Sequence, residues 1–166
     1  GRRQLRRRRL ERELVMARHP RWVRRFLSDA DLDAVAAAIV AAEAQTSAEI
    51  RVHLDARCPG DAMARAIAVF ERLGMHRTKA RHGVLVYVSI EDHKLAVLGD
   101  RGIHQHVGQA YWDGLVEAVL AHFRQARPRD GLVHAVGEVG AILHRHFPRR
   151  PGDVNELPDQ VSIDPA

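Results

Sequence analysis

The sequence predicts an α/β fold, a three-layer α/β/α sandwich around a small mixed β-sheet. Three observations carry that expectation. Gly83–Ile90 is a nearly continuous apolar run, the pattern of a strand buried on both faces. Ile50, Val52 and Leu54 alternate with Glu49, Arg51 and His53, the pattern of a strand with one polar face. Between them lies a helical stretch, and two strands joined by a helix run parallel through a right-handed crossover.

Taken in order, residues 2–18 suit a basic helix that Pro20 terminates. Trp22, Val23, Phe26 and Leu27 form an apolar cluster predicted to dock on the domain. Ser28 followed by Asp31 marks a helix start, and Leu32, Val35, Ala36 and Ile39 form its apolar face to about Ala44. After the first strand, Pro59-Gly60 turn the chain and Asp61 caps a second helix. Its stripe is Met63, Ala66, Ile67 and Phe70, and its stop is Gly74. Glu91-Asp92-His93 connect the buried strand to Leu95–Leu98, a hairpin and therefore an antiparallel pair. A loop is expected over Gly99–Gly108, then a helix through Trp112, Leu115, Val116, Val119 and Phe123, and another through Leu132, Val136, Val139 and Leu143. Helices on both sheet faces complete the sandwich. The expected organisation is a basic arm over residues 1–25, the domain over 26–147, and a tail over 148–166 that packs on or trails it.

Charge divides the chain in two. Residues 1–27 hold eleven arginines and two acids, a net +9, whereas residues 28–166 carry a net −4. The pI of about 10.3 is thus a property of the arm, and inferences from it toward nucleic acid or anionic membranes concern the arm alone. The longest apolar run of the arm, Leu14–Ala17, is far too short for a signal-peptide core or a membrane span. A single cysteine, Cys58, excludes an intramolecular disulfide framework. A soluble, cytoplasmic bacterial protein is the resulting expectation.

Most motifs fail on spacing. Six residues separate Cys58 from Arg65, one too many for a cysteine-phosphatase cradle, so Cys58 reads as a partly buried loop thiol. Asp29, Asp31 and Asp33 mimic the start of an EF-hand loop, but Ala34 and Val40 stand where glycine and glutamate belong. These acids suit the first turn of a helix instead. His104/His106 and His144/His146 lack a thiol or third ligand and read as surface histidines.

The predicted topology brings three chain points together: Glu49 before the first strand, His82 before the second, and Asp100 after the third. Two carboxylates and an imidazole beside Gly99 and Gly102 suit a divalent cation completed by water. The opposite end offers Asp55, Glu91 and Asp92 as a competing set.

The segments Thr46–Val52, His82–Val88 and Gly99–Ile103, together with Phe70–Met75, His146–Pro148 and Asp153–Leu157, resemble the TPM domain family in order and spacing. That family includes a thylakoid lumen protein of photosystem II repair and many bacterial members. The resemblance spans roughly residues 26–164 and implies an α/β/α sandwich, binding of a divalent cation (calcium or magnesium most often), and acid phosphatase activity in some members. Glu49 and Asp100 match the family's acidic cluster. Ala48 replaces the usual glycine, His82 the usual asparagine, and Gln109 a frequent acid. The imidazole would shift metal preference from calcium toward transition metals such as zinc.

Two function classes follow: a cation-binding domain with metal-dependent phosphatase activity, or a non-enzymatic protein-interaction scaffold. In the second, residues 2–25 contact a polyanion such as nucleic acid, an anionic membrane or an acidic partner. No catalytic nucleophile and no organic cofactor motif is identified, and the protein partner is not specified by the sequence. Because the arm contributes little apolar burial, deleting residues 1–19 should lower the pI steeply and leave the melting temperature within a few degrees, as checked by thermal unfolding.

Overall fold

The computed structural model describes Gln4 and residues 19–77, 82–151 and 161–164. Sequence expectations for the rest of the arm, and for Asp153–Leu157, lie outside the described residues. The elements run α1 (Arg21–Arg24), α2 (Asp29–Glu43), β1 (Ile50–Asp55), α3 (Ala62–Arg72), a 3₁₀ turn (Met75–Arg77), β2 (Val84–Ser89), β3 (Lys94–Gly99), α4 (Arg101–Arg124), α5 (Pro128–His146) and β4 (Ser162–Ile163).

The sheet order is β3-β2-β1-β4, with β1 parallel to both β2 and β4 and with β2 antiparallel to β3. Opposite sheet faces carry separate cores. Ile50, Val52, Leu54, Val84, Val86, Val88 and Val97 point toward α2, α4 and α5. Leu85, Tyr87 and Ala96 pack with Ala66, Val69 and Phe70 of α3 and with Met75. The predicted three-layer sandwich with a mixed sheet is therefore the architecture, with Val23 and Leu27 docked in the larger core.

Local signals act as their chemistry dictates. Ser28 and Asp31 form a reciprocal capping box at 3.0 Å in both directions. The Asp61 carboxylate accepts from the Ala64 N–H and starts α3. Gly74, at φ +74°, ends that element in the left-handed conformation glycine adopts without a Cβ penalty. Asp29 and Asp31 lie in the first turn of α2, away from any EF-hand geometry.

Three expectations change. Ile67 is 45% exposed, because the buried stripe of α3 runs through Ala66, Val69 and Phe70, the i, i+3, i+4 set. The loop expected over Gly99–Gly108 is largely helical: Asp100 caps Arg101, and the helical run continues until Gly108, whose φ of 73° and ψ of 171° break α4. The polar face of β1 is not solvated, since Arg51, His53 and Asp55 are all buried.

Two glycines on α5 differ in environment. A Cβ at Gly140 would lie 2.7 Å from the Ala42 Cβ of α2, whereas one at Gly137 meets nothing within 4 Å. Gly140→Ala should thus force α2 and α5 apart and cost about 1–3 kcal/mol. Gly137→Ala should instead gain roughly 0.5–1 kcal/mol from helix propensity. Opposite signs of the two changes in chemical denaturation would verify the helix contact.

Candidate functional site

At the amino end of the parallel strands, the backbone brings the three sequence-predicted residues to one place. The Val84 N–H donates to the Glu49 carbonyl at 2.9 Å, and the Asp100 N–H to the Gly83 carbonyl at 2.7 Å. Glu49 and Asp100 are buried, at 5% and 9% exposure. Asp100 uses Oδ1 to accept from the Arg101 N–H at 2.7 Å, while its buried Oδ2 has no hydrogen-bond partner among the described residues. Nδ1 of His82 is in the same condition. The His82 ring lies against Phe147, with centroids 3.5 Å apart. Burial lowers its pKa; the Asp100 carboxylate pulls it back in part, and His106 pushes it down further. A buried residue that sequence reasoning missed, Glu43, closes the same end by accepting from the Ile50 N–H at 2.7 Å. The ligand atoms of Glu49, His82 and Asp100 do not gather within 4.8 Å of one another as a tight set at the other end does.

At that other end, beyond the carboxyl termini of β1 and β2, the tail enters the sheet. His53, Asp55 and Asp164 each offer one ligand atom within 4.8 Å of the others, a grouping able to hold a divalent cation. Its carboxylates are nevertheless already engaged. Arg65 donates to both oxygens of Asp55, from Nε at 2.8 Å and Nη2 at 3.3 Å, and the Tyr87 hydroxyl donates to Oδ2 at 2.6 Å. Oδ2 of Asp164 lies 2.7 Å from Nη2 of both Arg65 and Arg72. Two carboxylates meet two guanidiniums, so a cation here would have to displace arginine.

The imidazole of His53 completes the network, with Nε2 3.0 Å from Asp55 Oδ1 and Nδ1 2.7 Å from the Ser162 hydroxyl. An ionised Asp55 can only accept, so the ring carries a proton on Nε2; the Ser162 hydroxyl lies between Nδ1 and the Val52 carbonyl, to which it donates at 3.3 Å. The competing set expected from sequence does not assemble. Asp55 belongs to this network, Glu91 pairs with Arg57 at 2.7 Å, and Asp92 accepts from the Cys58 N–H. Beside the network opens a cleft of about 900 Å³ lined by Asp55, Cys58, Asp61, Arg65, Arg72 and Asp164 among others. A crevice at the carboxyl ends of parallel strands is where open α/β sheets commonly receive ligands. Cys58 itself is buried rather than partly exposed.

The remaining histidine pairs are mostly exposed, as expected, although His104 and His106 lie on the first segment of α4 and not on a loop. His104 Nδ1 accepts from the Trp112 indole at 3.2 Å. His53, Arg65, Arg72, Tyr87, Ser162 and Asp164 escaped the sequence reading. The His53–Asp55 spacing, i to i+2 on a strand, was the one signal that could have revealed part of the network.

Burial alone would raise the Asp55 carboxyl, but hydrogen bonds from Arg65, Tyr87 and His53 outweigh it and hold the pKa at about 2, below the ordinary 3.8. Burial likewise pushes His53 below its ordinary 6.5, and the opposing pull of Asp55 and Asp164 only partly restores it. In both cases the unfolded chain binds protons first on acidification, so stability is lost as pH falls. The histidine contribution fades below about 6.5, with His82 acting in the same direction. The Asp55 contribution, roughly 2 kcal/mol at neutral pH from its shift, fades below about 3.8. Melting temperature against pH should therefore fall in two stages; His53→Gln should flatten the upper stage in part, and Asp55→Asn should remove much of the lower.

Comparison with known proteins agrees with this architecture. The TPM domain pattern matches residues 23–142. The solution structure of the BA42 protein from the psychrophilic bacterium Bizionia argentinensis superposes with a TM-score of 0.77 at 38% identity, covering 84% of this chain and 96% of that one. The N-terminal domain of a P. gingivalis protein shares the fold, with a TM-score of 0.63 at 16% identity over 74% of this chain and 79% of that domain. No curated protein matches the chain. Together, the profile match and the BA42 likeness establish that this chain belongs to the TPM domain family.

Proposed function

We propose that this TPM domain binds a divalent cation at the amino end of its parallel strands, with Asp100 and Glu49 as oxygen ligands and His82 as a nitrogen ligand. The observation that carries the reading is the buried Oδ2 of Asp100, which has no hydrogen-bond partner among the described residues. A buried carboxylate oxygen in that condition is costly unless something positive meets it. The low pKa of His82 favours the neutral imidazole that a metal requires. The other acid cluster is satisfied by Arg65 and Arg72, which argues against it as the first cation site.

A bound cation would supply polarisation of a phosphoryl oxygen and activation of water, the chemistry of a metal-dependent acid phosphatase. Asp100 and Glu49 would fix its position, and His82 would favour zinc over calcium relative to an asparagine there. Under the alternative, the domain is a non-enzymatic scaffold whose arginine-rich arm, residues 2–25, contacts a polyanion. Its support is the net +9 concentrated in residues 1–27.

Calcium, magnesium and zinc titrations followed by amide NMR should perturb Glu49, His82 and Gly99–His104. Asp100→Asn should weaken binding tenfold or more, about 1.4 kcal/mol. His82→Asn should raise calcium affinity relative to zinc. Phosphatase activity should track metal occupancy across these variants and vanish with chelator. Perturbations confined to His53, Asp55 and Asp164 would relocate the cation to the carboxyl end.

A further inference from the structure

The tail's seat on β1 has the form of a bound peptide. β4 is only two residues long and pairs parallel to β1, Ser162 opposite His53 and Ile163 opposite Leu54. Main-chain pairing continues through the Asp164 N–H, which donates to the Leu54 carbonyl at 3.1 Å. Two side chains add selectivity. The Ser162 hydroxyl meets His53 Nδ1 at 2.7 Å, and the Asp164 carboxylate sits between Nη2 of Arg65 and Arg72, 2.7 Å from each.

These are the components of strand-addition recognition: backbone bonds supply affinity, and pockets for alternate side chains supply selectivity. Ser162 and Asp164 point to the same side of the strand, as residues i and i+2 do, and both meet polar groups rising from β1 and α3. Ile163 stays only partly buried against the larger core. Arg65, Arg72 and Asp164 also line the 900 Å³ cleft, so the arginine fork opens onto solvent at the point where the strand ends. Asp164 retains 21% exposure, Arg65 36% and Arg72 49%. Solvent reaches these pairs, so a competing carboxylate can approach the two guanidiniums.

We infer that the outer edge of β1, with His53, Arg65 and Arg72, is a docking groove for an extended acidic peptide, and that the chain's own residues 162–164 occupy it as an internal ligand. The partner it fits is an unfolded or terminal segment bearing a hydroxyl residue, an aliphatic residue and an aspartate in succession. An intramolecular tail competes at high effective concentration, so outside peptides bind well only when the tail is weakened.

The test uses the full chain and a synthetic hexapeptide with the sequence of residues 161–166. Asp164→Asn removes the tail's carboxylate charge, and Asp164→Pro removes both the carboxylate and the N–H that bonds Leu54. Amide NMR titration should show the peptide binding both variants at least tenfold more tightly than the unmodified chain, with shifts at His53–Asp55, Arg65 and Arg72. A peptide carrying asparagine in place of its aspartate should bind Asp164→Pro at least tenfold more weakly, as should the original peptide when Arg72→Ala is added. Absence of peptide binding to both variants would overturn the inference, as would indifference to the peptide's aspartate. Acetate or inorganic phosphate binding the arginines as tightly as the peptide does would also overturn it, reducing the groove to a simple anion site.

Discussion

The ion pair between Asp55 and Arg65 is the interaction on which the rest of the sheet's polar face depends. β1 is buried along its whole length, yet every second residue on it is polar or charged. A carboxylate in that position is tolerable only if each of its lone pairs is answered, and Arg65, Tyr87 and His53 answer them from α3, β2 and β1 respectively. Tyr87 is held protonated by burial and by the same carboxylate, so it stays a donor. The pair also positions the α3 guanidinium that reaches onward to Asp164, and thereby links the crossover helix, the central strand and the distant tail. Its contribution is specificity of arrangement as much as stability, because a buried pair offsets its own desolvation only when the surrounding hydrogen bonds are complete.

The two ends of the sheet use similar residue types for different ends. Both collect carboxylates and a histidine with a lowered pKa. At the carboxyl end the negative charge is matched one for one by arginine, giving a charge-balanced network. At the amino end the helix-capping Asp100 spends one oxygen on Arg101 and keeps the other buried. Counting acids would rank the ends alike; asking what already holds each oxygen separates them.

Much of the frame was legible because it rests on local chemistry. The Ser28 and Asp61 caps, the Gly74 stop, the apolar β2 and its hairpin to β3 depend on residues within a few positions of one another. Asp100 was legible as an acid at the end of β3 but not as a cap, because Gly99, Gly102 and Gly108 read as loop residues and concealed the helical segment between them. Gly99 in fact closes β3, and within the helical run only Gly108 departs from helical geometry. The carboxyl-end network was illegible for a different reason. Its partners lie about a hundred positions apart, as Arg65 and Asp164 do, and a two-residue strand leaves no periodic signal. Nor could alternation reveal that the polar face of β1 is covered rather than wet.

The shortness of β4 also bears on how this chain avoids sticking to its own copies. Without β4, the six-residue β1 would stand at the sheet flank and present a row of backbone donors and acceptors of the kind that recruits other chains into intermolecular sheets. On β1 the tail takes up the carboxyl half of that row, beside the charged side chains of Arg65, Arg72 and Asp164. At the opposite flank, β3 opens with Lys94, whose ammonium is tied to the carbonyls of Cys58 and Gly60. Each exposed border is thus guarded by charge at the same end of the sheet, and loss of the tail would turn the guarded border of β1 into a template for aggregation.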